Sequence, residues 1–279
     1  MAFVEEWNSR GIPAAVRAFD IKTQDPAAAG EKRADYARFG VHGTDTIAEA
    51  LIGSDLVIAV VTADQAVEAA KAAAPLLKPR ALYCDFNSVA PHTKVQAAAI
   101  VEEAGVRYAD VAVMAPVRPA QLSVPLLVSG PHSADACALL SAAGFRPRDL
   151  GGAVGQASII KMLRSIMVKG MEALVAECFL AAHSAGVAEE VAQSLNASWP
   201  GVDWAEKADY NLDRIMVHGV RRAAEMDEVA ATLAQLGMPN ALTRATAETQ
   251  RRIGTLGLPP VEGLARKSEL ILQKRKDAE

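Results

Sequence analysis

The sequence predicts an α/β front half joined by one long helix to an all-helical back half. Three observations predict it. Up to about residue 150, short apolar strands alternate with helices, the pattern of right-handed βαβ units in a mostly parallel sheet covered on both faces. The stretch from Gly151 to Gly186 then holds no proline and is rich in Ala, Leu, Met, Lys and Glu, so propensity and pattern agree on one unbroken helix. From Val187 onward the chain reads as helix, punctuated at Trp199-Pro200-Gly201, at Gly237-Met238-Pro239 and from Gly257 to Pro260. The expected domains are 1–150 and 151–279.

In chain order, Phe3 to Ile12 reads as helix with Phe3, Val4 and Trp7 on one face, and Ala14 to Asp20 as a buried strand ending in an acid. A helix from Ala27 to Phe39 and a short one from Thr46 to Ile52 lead to the strand Leu56 to Val61. Then come a helix from Asp64 to Leu77, the strand Ala81 to Phe86, a helix from Pro91 to Ala104 and the strand Val106 to Met114. This order is Rossmann-like.

In such a sheet, ligands lie beyond the carboxyl ends of the strands, which selects Asp20, Thr62-Ala63-Asp64, Asn87-Ser88 and the segment Met114 to Pro119. An acid after the second strand is where a dinucleotide's adenosine ribose is held. Asp20 fits that role and favours NAD, because its charge repels a 2′-phosphate, while Lys22 softens the preference. A simple turn beginning at Asp20 accounts for the position as well. The glycine-rich phosphate loop, due roughly 20 residues earlier, is not found, because no glycine precedes Gly11. Since everything downstream keeps the cofactor domain's arrangement, a start downstream of the first strand is the preferred explanation over a loss of dinucleotide binding.

Composition narrows the function. A formal charge of -4 and a pI near 5.8 give no general attraction for nucleic acid or anionic lipid, and Lys274-Arg275-Lys276 reads as a solvated end. Lys161, Arg164, Lys169, Glu172 and Glu177 interrupt the long helix, which a bilayer span would not tolerate. Cys84, Cys137 and Cys178 lie far apart without a CxxC, so neither a disulfide framework nor a metal site is expected, and the compartment expected is the cytoplasm. His42, His92, His132 and His183 fall in loops or near helix ends. His218, beside Arg221 and Arg222, is a collection suited to an anion, or to packing.

The acid-ended second strand, CDFNSVAP (Cys84 to Pro91), AVMAPV (Ala112 to Val117), KMLRSIMVKGMEALVAEC (Lys161 to Cys178) and HGVRRAAEM (His218 to Met226) together resemble the β-hydroxyacid dehydrogenases. That family includes 3-hydroxyisobutyrate and 6-phosphogluconate dehydrogenases. The chain is most similar to the subgroup with a 6-phosphogluconate dehydrogenase-like C-terminal domain, from Phe3 to about Leu256. The resemblance implies that Lys161 is the catalytic lysine, in a G-x-G-x-x-x-K pattern whose second glycine is here Ala157. It places Ser165 where an asparagine is usual, and Asn87 and Ser88 in the loop touching the nicotinamide and substrate. Met114-Ala115 stands for the usual Ser-Gly, and Ala224-Glu225 for a Lys-Asp pair. These departures change the surroundings of Lys161 and leave the reaction type.

The chemistry is consistent with that assignment. Oxidising an alcohol requires removing the hydroxyl proton as hydride leaves carbon, and a lysine whose pKa is lowered by burial can do this. Arg164, one turn along, pushes the same way if it faces the site. A lysine on a helix is otherwise a snorkelling surface group. Ser88, Ser165 and Arg118 can hold a substrate carboxylate. The expectation is an NAD(P)-dependent oxidoreductase acting on a small 3-hydroxy acid, as a homodimer with its site between front and back domains. The alternatives are an imine or carbonyl reductase of the same fold, and a non-catalytic dimer.

Overall fold

The computed structural model describes residues 2–11 and 16–276, which form two compact units divided between Lys161 and Met162. In the first unit, helix α1 (Ala2–Arg10) buries Val4 and Trp7, with Phe3 packed beside them, so the apolar face expected from sequence is the face used. Trp7 Nε1 donates to the Ala143 carbonyl, and the Glu6 carboxylate accepts from the Leu122 N–H, tying α1 to the core by side chain to backbone bonds. Ile12, Ala14 and Ala15, the end of the expected first helix and the start of the expected strand, lie outside the described residues.

The remaining expected strand is β1 (Arg17–Ala18), followed by α2 (Ala29–Arg38), β2 (His42–Gly43) and α3 (Ile47–Leu51). β1 ends before Asp20, where the chain turns, the Asp20 side chain accepting from the N–H of Lys22. His42 lies in β2, not in a loop. Helix α3 starts at a capping box in which Thr46 and Glu49 satisfy each other's backbone N–H groups.

Then come β3 (Leu56–Ala59), α4 (Ala66–Ala73), β4 (Leu82–Asp85), α5 (Pro91–Glu103), β5 (Arg107–Val113), β6 (Leu126–Ser129), α6 (Ser133–Ala142) and β7 (Pro147–Gly151). Strands β3 to β7 form one sheet in sequence order, parallel except for the β5–β6 pair, while β1 and β2 pair in parallel as a separate two-stranded sheet. The Arg17 guanidinium bonds Ser54 Oγ (3.3 Å) and the Ile52 carbonyl, linking β1 to the segment entering β3. Apolar clusters cover both faces of the larger sheet, one around Leu82, Cys84, Val111 and Leu126, the other around Tyr83, Tyr108, Ala97 and Val101. Buried faces on both sides explain the near-continuous apolar runs of its strands.

The long helix is α7 (Gln156–Ser184) and begins later than the sequence suggested. Gly151 closes β7, and Gly151, Gly152 and Gly155 have φ of 60°, 66° and 95°, which takes the chain through left-handed turns incompatible with helix. Pro91 lies 3.1 Å from where a Cβ on Gly155 would stand, so a side chain here would be crowded as well as strained by the positive φ.

The second unit continues with α8 (Ala188–Ser198), α9 (Trp204–Gln235), α10 (Ala241–Gly254) and α11 (Leu264–Lys276), separated at the expected Gly and Pro clusters. α9 and α10 cross where Gly219 meets Gly254. The core here is Ala176, Leu180, Leu212, Ile215 and Ile253, and Lys267 of α11 is buried on Asp209 of α9 at 2.9 Å. Among the described residues no helix is long and apolar enough to cross a membrane.

Candidate active site

The parallel strands β3, β4 and β5 bring their following loops to one edge of the sheet. Thr62 and Ala63 follow β3, with Thr62 exposed and Ala63 half-buried at the head of a short turn. Asn87 and Ser88 follow β4. Asn87 is buried, its Oδ1 accepts from the Val61 N–H at 2.6 Å, and its own N–H donates to Asp85 Oδ1 at 2.8 Å. The loops after β3 and β4 are therefore stitched together by one amide side chain. Met114 follows β5 and packs with Ala112 and Leu127 against Ala157, in the first turn of α7.

A buried polar cluster underlies these loops. Asp85 and Asp110 face each other in register on β4 and β5, and Lys94 of α5 sits between them, 2.9 Å from Asp85 Oδ1 and 3.4 Å from Asp110 Oδ1. Lys94 also donates to the Asp85 carbonyl (2.7 Å), and the Tyr108 hydroxyl to Asp85 Oδ2 (2.8 Å). Burial, and then the charges of Asp85 and Asp110, push the Tyr108 hydroxyl well above its usual pKa, so it stays a donor. Asp110 Oδ2 accepts from the N–H groups of Gly155 (3.2 Å) and Ser158 (3.0 Å), and its Oδ1 from Ser158 Oγ (2.7 Å). A carboxylate at the start of a helix satisfies orphan N–H groups and complements the helix dipole. Lys161 stands one turn beyond Ser158, half-buried.

Asp20 lies at the end of β1. Burial alone would raise its carboxyl, but the hydrogen bonds from Lys32 (2.8 Å) and from the Lys22 N–H, with the charges of both lysines, outweigh burial and hold it below the usual carboxylate range. Burial and the nearby Asp20 charge push the Tyr36 hydroxyl up to about 12. The Tyr36 ring packs against Gly43, where a Cβ would come within 2.1 Å of it.

Arg118 is not gathered with these groups. Its guanidinium pairs with Glu5 of α1, and it lines an open groove with Glu5, Asn8, Arg38, Phe39 and Gly40. Ser165 lies in the second unit, accepting from Lys169 Nζ at 3.3 Å. There Lys169 pairs with Glu225 (2.8 Å), and Glu172 with Arg222 and with Gln250 (3.1 Å). Burial, joined by the charge of Arg222, holds the Lys169 ammonium's pKa below its usual value against the opposing pull of Glu225 and Glu172. His218 is held below its usual range by partial burial and then by Arg214, Arg221 and Arg222. Among the described residues no group of His, Cys, Asp and Glu side chains fits a metal ion.

Sequence reasoning missed the Asp85, Lys94 and Asp110 cluster and the Lys169 to Gln250 network. The signal for the first was present. Lys94 falls at helical spacing with Ala97, Ala98 and Val101 on the buried face of α5, and both aspartates interrupt otherwise apolar strands.

The orphaned amide of Asn87 tests the site for a nicotinamide cofactor. Asn87 Nδ2 is buried and has no hydrogen-bond partner among the described residues, so it is a fixed donor at the strand end where a dinucleotide lies in sheets of this kind. With the ionised Asp20 carboxylate at the end of β1, the residues present fit such a group.

Comparison with known proteins agrees. Residues 7–139 match the NAD binding domain of 6-phosphogluconate dehydrogenase, and residues 182–253 match a domain of unknown function, DUF1932. A conserved hypothetical protein from Sinorhizobium meliloti 1021 is 35% identical with a TM-score of 0.74, the match covering 98% of this chain and 92% of that one. A conserved protein of unknown function, described as structurally similar to 3-hydroxyacid dehydrogenases, is 27% identical with a TM-score of 0.69, over 96% and 94% of the two chains. An uncharacterized 28.5 kDa protein of Methanothermus fervidus is 28% identical over 63% of this chain, and the match spans 66% of that relative's length.

Proposed function

The chain belongs to the β-hydroxyacid dehydrogenase family, and from that premise we propose that it interconverts a small 3-hydroxy acid and its carbonyl product with Lys161 as the proton donor and acceptor. The family assignment makes it a nicotinamide-dependent oxidoreductase with a Rossmann-like front domain. When bound, the cofactor supplies or accepts the hydride. The observation that carries the reading is the buried Asn87 Nδ2 at the strand end, without a hydrogen-bond partner among the described residues, on a residue held by Val61 and Asp85 and so placed to donate to a cofactor or substrate oxygen.

In this reading Thr62 and Ala63 line the cofactor's path, and Ser88 and Met114 border the substrate. Ser165 and Arg118 are proposed to hold the substrate carboxylate, although the Arg118 guanidinium would first have to leave Glu5. Lys161 takes the hydroxyl proton in oxidation and returns it in reduction, on a helix whose first turn Asp110 fixes. NAD is the proposed cofactor, because the ionised Asp20 accepts ribose hydroxyl donors and repels a 2′-phosphate. Lys22 and Lys32 beside it limit that discrimination.

The proposed unit is a homodimer. α7 exposes Leu163, Met167, Met171 and Leu174 at helical spacing, an apolar face of the kind that a second subunit covers. The domain division at residue 150 and action in the cytoplasm, where its three free cysteines stay reduced, complete the reading.

A panel of 3-hydroxy acids assayed with NAD and with NADP, following absorbance of the reduced cofactor, tests it. Turnover of a hydroxy acid, lost in Lys161→Ala, supports the proposal. Turnover confined to cyclic imines would favour the reductase alternative.

A further inference from the structure

We infer that Lys94 is a positioning residue that locks the Asn87 loop and the first turn of α7 into one fixed arrangement; the inference rests on the reading of Asn87 and Lys161 as site residues. Lys94 is fully buried, as are Asp85 and Asp110, and taking three ionised groups out of water costs several kcal/mol each before they attract one another. An apolar trio would make a more stable core at lower cost. What the charged trio provides is directional bonding at both ends.

Asp85 receives the ammonium on Oδ1, and the same oxygen accepts the N–H of Asn87. Asp110 receives the ammonium on Oδ1, while its other oxygen accepts the N–H groups of Gly155 and Ser158. One ammonium therefore ties together the two carboxylates that each hold a site-bearing stretch of backbone. The remaining valences are filled by Tyr108, by Ser129 Oγ (3.2 Å from Asp110 Oδ2) and by Ser158 Oγ, so no member can swing away without losing a bond. A separate contact repeats the coupling, because Pro91, which opens the helix carrying Lys94, packs on Gly155.

The test uses the full chain with Lys94→Met, which keeps the length of the side chain and removes the charge. Hydrogen exchange of the cofactor-free protein is the first readout. Amides of Asn87, Gly155 and Ser158 should exchange about tenfold faster or more, while those of Cys84 and Val111 in the strand centres stay protected. NADH affinity by fluorescence titration should fall about tenfold, and kcat should fall more than KM rises. If Lys94→Met does not fold, the triple variant Lys94→Met, Asp85→Asn, Asp110→Asn removes the uncompensated charge and should show the same selective loosening. Unchanged exchange at both segments, or loosening of one alone, overturns the inference. Loosening of both segments in a chain that oxidises no hydroxy acid would support the coupling and sink the proposed reaction, so the two failures are told apart.

Discussion

Gly219 of α9 and Gly254 of α10 face each other so closely that a Cβ on Gly219 would lie 2.8 Å from the Gly254 Cα and 2.3 Å from the Gln250 carbonyl oxygen. These are backbone atoms, and only moving a helix relieves them. Gly219→Ala should therefore cost about 1 to 3 kcal/mol or more in urea unfolding, through overpacking. Gly170, on α7, has only the Thr246 hydroxyl at 3.8 Å, so Gly170→Ala should stabilise by roughly 0.5 to 1 kcal/mol from helix propensity. Equal effects from the two substitutions would contradict the close crossing.

Lys161→Ala should lower turnover by about a hundredfold or more and leave dinucleotide affinity nearly unchanged, since a proton is lost and no nucleotide contact is. Steady-state kinetics with the best hydroxy acid, and calorimetric titration of cofactor, separate the two quantities. Full turnover by the variant would remove Lys161 from the chemistry.

Asp20→Ala should weaken NAD and relieve the exclusion of NADP, measured as the ratio of kcat/KM values for the two cofactors. Because the folded-state pKa of Asp20 is lowered, its contribution to stability is present above the usual carboxylate pKa and is lost as pH falls through the folded value. The parent should therefore be more stable than the variant near neutral pH, and the difference should vanish in acid. A parent enzyme that prefers NADP would contradict the role given to Asp20.

His218 should titrate below 6.5 in the folded chain, and Arg214→Ala or Arg221→Ala should raise its pKa, as read from imidazole chemical shifts. Its folded pKa is depressed, so stability is lost as pH falls from 6.5 toward the folded value, where the unfolded chain binds the extra proton. An upward shift of His218 in the parent would mean that an acid, not the arginines, dominates its surroundings.

Strand and helix order was legible in the sequence because periodicity is a local property, and α1, α5 and the four helices after α7 stand close to where the apolar spacing and the Gly and Pro clusters put them. The start of α7 was not legible, since Gly151, Gly152 and Gly155 act through left-handed backbone that composition does not reveal. Asn87, Ser88 and Met114 follow strands, as the apolar runs in the sequence put them. The buried cluster beneath them was not legible, because Asp85, Lys94 and Asp110 meet only after three elements assemble. Arg118 shows the converse: a residue after a strand end that the fold turns toward Glu5.

The register that sets Asp85 opposite Asp110 has a consequence for how the chain folds. Like charges directly across a strand pair oppose pairing, so the Asp85–Asp110 position weakens the β4–β5 ladder until a cation reaches it. The lysine that bridges them, one positive charge against two negative, is encoded between the two, on the crossover helix, and so leaves the ribosome before the second aspartate does. Strand pairing and helix docking are thereby coupled, because the β4–β5 register sheds part of its like-charge repulsion only once α5 has brought Lys94 between the strands.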